Sequence, residues 1–141
     1  MKTILLETQL NSNGTLGTLI TDYDDINNAQ SSFHTVMAAA NLSTLPRHGA
    51  VLMSSSGRLI RKECCYHHTE TDIEEKYIVL EIQVGAGESV SSLINSFDNK
   101  NQAESTYHSI LASAALSELP KHSAVILTDS GEILANYCYE H

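Results

Sequence analysis

Two stretches of the chain alternate between apolar and polar residues, and the same series of patterns follows each of them. The apolar positions are Ile4, Leu6 and Leu10 in the first stretch and Ile78, Leu80, Ile82 and Val84 in the second. A period of two residues is typical of a strand with one buried face. Turn residues come next, at 11–14 and at 85–87. We therefore expect a second strand, at about 15–23 and about 89–97, to close a hairpin in each half.

The next segment in each half changes to a helical period. Its apolar positions are Ala29, Phe33, Val36, Met37 and Ala40, matched by Ala103, Tyr107, Ile110, Leu111 and Ala114. Residues spaced by three and four positions share one face of a helix. Pro46 and Pro120 mark its end, because proline disfavours helical backbone in the residue before it. The pattern predicts helices over 27–42 and 101–116.

Each helix is followed by a short segment that is apolar on both faces, at 50–53 and at 124–127. A strand of this kind must be covered on both sides. Gly57 and Gly131 each follow a serine and suit a tight hairpin turn. The closing strands are predicted at about 58–66 and about 132–139.

These two series are the copies of a tandem duplication. Residues 76–141 align with 2–67 at an offset of 74 positions without a gap, and 25 of the 66 pairs are identical. Each copy reads β-β-α-β-β, so the predicted fold class is α+β, with antiparallel sheets, one helix per repeat and a pseudo-twofold relation. The predicted units are a first repeat at 1–67, a linker at 68–75 and a second repeat at 76–141. Because such a unit is marginal alone, we expect both to share one core, as a layered α/β/β/α arrangement or a curled eight-stranded sheet.

Acidic residues outnumber basic ones by 17 to 8, and the net charge is −9. This balance repels nucleic acid and anionic membranes, so we expect no direct nucleic-acid partner. No apolar run approaches about 18 residues, the length of a membrane span. The three cysteines, two of them adjacent at Cys64 and Cys65, do not make a disulfide framework. We therefore expect a cytoplasmic protein without membrane association, either a monomer with an internal pseudo-dimer or a homodimer.

The strongest local motif is leucine, proline, a basic residue and histidine, and it occurs in both copies. Its basic and imidazole members are Arg47, His48, Lys121 and His122. Such donors on a proline-stiffened loop could bind a phosphate or carboxylate, and the two copies could converge on one anion across the pseudo-axis. The alternative is that a basic residue behind a helix favours the negative helix end and that proline marks the stop.

Histidines and cysteines also recur. The repeated set is His34, His48, Cys64 and His67, matched by His108, His122, Cys138 and His141. Both residue types are zinc ligands, so each copy could assemble a metal site. Residues three apart on a strand point to opposite faces, so Cys64 and His67 chelate one ion only if the strand bends between them. The alternative is buried structural cysteine with surface or helix-capping histidine, which implies no cofactor.

Catalysis has little support in the sequence. His34 and His108 recur without a paired carboxylate, and Cys65 has no cysteine counterpart because Tyr139 replaces it. No phosphate-binding glycine loop, nucleophile elbow or zincin motif is present.

Several repeated motifs resemble a known group of proteins. They are Tyr23-Asp24 and Phe97-Asp98 at the helix entry, the helix segments Ala29 to His34 and Ala103 to His108, and a closing hairpin through Ser-Gly. With the strand hairpin before them, each repeat looks like small proteins of Firmicutes and their prophages, so two such units are fused over nearly the whole chain. The resemblance implies no reaction and no catalytic residues. It does suggest a phage or mobile-element setting, where small acidic folds often serve as inhibitors or sequestering proteins.

The sequence favours a non-enzymatic binding protein, such as an inhibitor or a sequestering protein, whose ligand is a host protein or a small nucleotide-like anion. The first alternative is a metal-dependent or histidine-based hydrolase that uses the repeated histidine and cysteine set. The second alternative is a purely structural subunit.

Overall fold

Each repeat contains two strands, a helix and two more strands, as the alternating and helical periods predict. The computed structural model describes residues 2–67 and 74–141. The first repeat consists of β1 (Thr3–Leu10), β2 (Leu16–Tyr23), α1 (Ile26–Leu42), β3 (Arg47–Ser54) and β4 (Leu59–Tyr66). The second repeat consists of β5 (Tyr77–Val84), β6 (Val90–Phe97), α2 (Lys100–Leu116), β7 (Lys121–Thr128) and β8 (Ile133–Glu140). The predicted α+β class and element order are confirmed, while 68–73 of the predicted linker lie outside the described residues.

The strands form two separate antiparallel sheets of four strands each. Their orders are β2-β1-β3-β4 and β6-β5-β7-β8, so the first and third strands of each repeat are central and the edges are β2, β4, β6 and β8. The registers are equivalent, with Leu6 opposite Val51 in one sheet and Leu80 opposite Val125 in the other. The curled eight-stranded alternative is therefore not the one found.

The sheets pack face to face, and each carries its helix on the outer face. One buried cluster joins the inner faces of both sheets and includes Ile4, Val51, Ile78 and Val125. Two further clusters are each confined to one repeat and lie between a sheet and its own helix. The arrangement is thus helix, sheet, sheet, helix, and it explains why β3 and β7 are apolar on both faces.

The helices begin where the sequence supplies caps. The Asp25 side chain accepts a hydrogen bond from the Asn27 amide, and the Asn99 side chain accepts hydrogen bonds from the amides of Asn101 and Gln102. Both helices comprise 17 residues and stop before the proline, as predicted. Within the described residues, no helix combines the length and the apolar character that crossing a membrane requires.

The strands after the helices start three residues earlier than the apolar pattern predicts. β3 begins at Arg47 and β7 at Lys121, because pairing with the first strand of each repeat continues to Leu10 opposite Arg47 and Val84 opposite Lys121. The basic residue and the histidine of each motif therefore lie on a strand, not on a proline-stiffened loop. Successive side chains on a strand point to opposite faces.

Candidate functional site

Arg47 points to the inner face of its sheet and binds the other repeat. Its Nε donates to Oδ2 of Asp129 at 2.6 Å, and its Nη2 lies 3.4 Å from Oδ1 of the same carboxylate. The Asp129 side chain is fully buried, and Arg47 also donates to the carbonyl oxygen of Glu74 at 3.0 Å. The guanidinium is thus already paired with a carboxylate at the contact between the repeats.

His48 points to the opposite face, toward its own helix, and is held by a glutamate. Its Nε2 lies 2.6 Å from Oε2 of Glu7, and Gln9 donates to the same oxygen at 2.9 Å. Because a carboxylate only accepts, the proton of this short bond belongs to the imidazole Nε2. His122 has the same partner at the same distance, Glu81 at 2.6 Å.

These contacts separate the four residues of the predicted anion site. Arg47 and Lys121 lie on inner sheet faces, whereas His48 and His122 lie on the outer faces of two different sheets. Both histidines are buried, and their Nδ1 atoms have no hydrogen-bond partner among the described residues. For either histidine to act as the base of a hydrolase, a nucleophile would have to lie beside its Nδ1 atom.

The histidines and cysteines of the predicted metal set also lie apart. His67 and His141 each bring Nε2 to a carbonyl oxygen near the end of a helix, Ala40 at 2.9 Å and Ala114 at 3.2 Å, which is the contact that the capping alternative predicts. Cys64 lies on the inner face, since it pairs with Gly49, whereas His48 lies on the outer one. In the described ranges, no three His, Cys, Asp or Glu side chains form a group able to hold a metal ion.

Two of the thiols are poorly suited to act as nucleophiles. Burial, with the nearby Asp129 carboxylate, raises the pKa of Cys64 to about 11. Burial also raises the pKa of Cys138. Since the thiolate is the reactive form, both thiols are protonated and unreactive at neutral pH.

The two repeats differ in the space between the helix and the last strand. In the first repeat, Arg61 extends from β4 over α1, with its guanidinium 5.8 Å from the ring centre of Phe33. Its Nη1 also lies 3.0 Å from Nε2 of His34. The Arg61 side chain therefore fills the space between α1 and β4 in the first repeat.

In the second repeat, Ala135 takes the place of Arg61 and the same space is an open groove. Its volume is about 570 Å³, within the range of about 300–1,000 Å³ typical of ligand sites. Lining side chains include Lys100, Glu104, Tyr107, Leu111, Tyr137 and Tyr139. The rings of Tyr137 and Tyr139 are in edge contact, with centres 4.8 Å apart, and Tyr137 is 54% exposed. The groove thus combines an apolar floor with exposed aromatic rings.

The edge strand beside the groove also carries no charge along its middle, in contrast to β4. β4 carries Arg61, Lys62 and Glu63, and charged side chains on an edge strand prevent pairing with other chains. At the equivalent positions β8 carries Ala135, Asn136 and Tyr137. The groove could not be predicted from the residues that the copies share, because it arises where they differ. The sequence difference that could have revealed the groove is the change from three charged residues at 61–63 to uncharged residues at 135–137.

Neither protein-family models nor curated proteins nor solved structures gave a match to this chain. The chain is therefore described by its own geometry, a duplicated α+β fold whose second repeat has an open groove beside an edge strand without charges at 135–137.

Proposed function

We propose that the chain is a non-enzymatic binding protein that holds an extended segment of a partner protein along β8. The contrast between the repeats carries this proposal. In the first repeat, the edge strand carries three consecutive charges at 61–63, and Arg61 fills the space beside the helix. In the second repeat, the equivalent residues 135–137 are uncharged and the groove is open.

An added strand uses the features that β8 presents. An edge strand offers unpaired backbone N–H and C=O groups, which give affinity to a peptide that joins the sheet. Side chains of β8 at 135, 137 and 139 share the face toward α2, since they pair with Ile126, Ala124 and His122. Alternate side chains of the incoming segment would face the same way. One of them, apolar or aromatic, would enter the groove against Tyr107 and Leu111.

The partner segment is expected to be neutral or basic outside its apolar side chain. The chain has a net charge of −9, so complementary charge would accelerate the encounter. The groove itself holds one cation and one anion, Lys100 and Glu104, whose charged atoms lie 4.0 Å apart. A protein partner is favoured over a small anion shared by both repeats, because Arg47 is already paired with Asp129 and His48 with Glu7.

Photo-crosslinking at matched positions of the two edge strands tests this proposal. A crosslinking amino acid in place of Tyr137 should capture a partner protein, and the same amino acid in place of Glu63 should not. Ala135→Arg should abolish capture at 137, because the new side chain would lie over Tyr107 as Arg61 lies over Phe33.

Two outcomes would count against the proposal. Equal capture at 63 and 137, or capture at 137 that survives Ala135→Arg, would show that the groove is not the contact surface. Crosslinking only to a second copy of the chain would identify β8 as a self-association surface, as expected of a structural subunit. The role of inhibitor or sequestering protein in a phage setting stays a prediction of the resemblance.

A further inference from the structure

The contact between the repeats contains an internal carboxylate site. The Asp129 carboxylate accepts hydrogen bonds from Nε of Arg47 at 2.6 Å and from the amide of Lys76 at 2.8 Å. The Asp129 amide donates in turn to the carbonyl oxygen of Lys76 at 3.0 Å. The carboxylate is thus buried and is bound by one cation and one backbone amide.

The pseudo-twofold relation places an equivalent site on the other side of the molecule, where the carboxylate is missing. At the offset of 74 positions, Lys121 corresponds to Arg47, Lys2 to Lys76, and Ser55 to Asp129. The backbone frame is the same, since the Ser55 amide donates to the carbonyl oxygen of Lys2 at 3.0 Å. The carboxylate, however, is replaced by a serine hydroxymethyl group.

All three equivalent residues line one cavity of about 240 Å³. Gly85 and Gly87 form another part of its wall, where the absence of side chains brings backbone close to the space. Since one water molecule takes about 30 Å³ of liquid volume, the cavity has room for an acid of only a few carbon atoms.

We propose that this cavity binds the carboxylate of a small organic acid, in the position that the Asp129 carboxylate takes on the other side. Lys121 would supply the positive charge, as Arg47 does for Asp129. Lys121 has no ion-pair partner within residues 2–67 and 74–141, whereas Arg47 is paired with Asp129. The site shares no residue with the groove beside β8, so this proposal can be tested independently of the proposed protein partner.

Other charged residues at the cavity affect how strongly it would bind an anion. The Lys2 ammonium lies 3.0 Å from Asp24 and 3.5 Å from Asp22, so part of its charge is already balanced. Glu88 is exposed and is the one carboxylate among the residues that line the cavity. Because Glu88 and Lys2 both already interact with other groups, we expect anion binding to depend on Lys121.

NMR titration with succinate tests the proposal, and an acetylated aspartyl peptide tests whether the acid can also be carried on a chain. The wild-type protein should show saturable shifts of the Ser55 and Lys121 amides. Lys121→Met should weaken binding about tenfold, the effect of losing one charge-assisted hydrogen bond. Lys62→Met removes the same charge from an exposed position outside the cavity and should have no effect. Tighter binding of succinate would identify a free acid as the ligand, and tighter binding of the peptide would identify an acidic side chain.

Ser55→Asp is the decisive variant, because it restores the carboxylate of the other side. It should abolish succinate binding and raise the melting temperature. Absence of saturable shifts in the wild-type protein, or unchanged binding by Lys121→Met, would overturn the proposal even if Ser55→Asp failed to fold. A folded Ser55→Asp protein that bound succinate as the wild type does would overturn it as well.

Discussion

Gly57 and Val125 meet where the two sheets face each other, so closely that a Cβ on Gly57 would lie 2.8 Å from Cγ2 of Val125. The pseudo-equivalent pair is Gly131 and Val51, at 3.1 Å. Each glycine has a positive φ, 86° for Gly57 and 94° for Gly131. The closing hairpin of each repeat therefore packs on a central strand of the other, and the shared interface needs glycine at both turns.

Gly57→Ala should be more destabilising than the backbone conformation alone requires. A side chain in the left-handed region costs about 1–2 kcal/mol, and overpacking against Val125 adds about 1–3 kcal/mol. Gly14→Ala is the matched control, because Gly14 has φ of 87° but no atom within 4 Å of a new Cβ. Urea denaturation measures both free energies of unfolding.

The double variant Gly57→Ala with Val125→Ala separates the two contributions. If the clash is with Val125, the combined loss should be smaller than the sum of the single losses. Equal destabilisation by Gly57→Ala and Gly14→Ala would show that the hairpin does not pack on the facing sheet.

Removing the Asp129 carboxylate should deprive the Arg47 guanidinium of its buried anionic partner. Asp129→Ala is expected to lower the free energy of unfolding by about 3–5 kcal/mol, the usual effect of breaking a buried ion pair from one side. Ser55→Ala, at the equivalent position of the other repeat, breaks no ion pair and should lower it far less. Similar losses in the two variants, measured by denaturant unfolding, would contradict the ion pair between the repeats.

Stability should fall in alkaline solution as buried thiols ionise. The pKa of Cys64 is raised from 9.0 to about 11, so between these values the folded protein holds a proton that the unfolded chain releases. The contribution is complete below pH 9 and is lost as the pH rises toward about 11. Cys64→Ser should show a smaller loss over this range, with part remaining because burial also raises the pKa of Cys138 and Tyr107. An identical pH dependence in both proteins would exclude Cys64 as its source.

The element order was predictable because each element has a local signal. Alternation marked β1 and β5, helical spacing marked α1 and α2, and prolines marked the helix ends. The doubly apolar strands also predicted that something must cover both faces, and the facing sheet does so. Residues that are apolar in both copies include core positions such as Val51 and Val125, whereas the shared Leu42 and Leu116 are exposed.

The start of β3 could not be predicted because its polar residues are satisfied by distant partners. Arg47 is paired with Asp129 and His48 with Glu7, at sequence separations of 82 and 41 residues. Without those partners, a basic residue and a histidine after a proline are typical of a loop. The groove was missed for a different reason, because it arises where Ala135 differs from Arg61 and not where the copies agree.

Selection of peptides from a display library on the wild-type chain tests the central claim most directly. Enriched peptides should be extended sequences with an apolar or aromatic residue, and calorimetry should show them binding the wild type and Arg61→Ala equally. Ala135→Arg should weaken the same peptides at least about tenfold, since a buried hydrophobic anchor contributes more than about 1.4 kcal/mol. Enrichment no greater than on an unrelated protein, or equal affinity for the wild type and Ala135→Arg, would contradict binding in the groove beside β8.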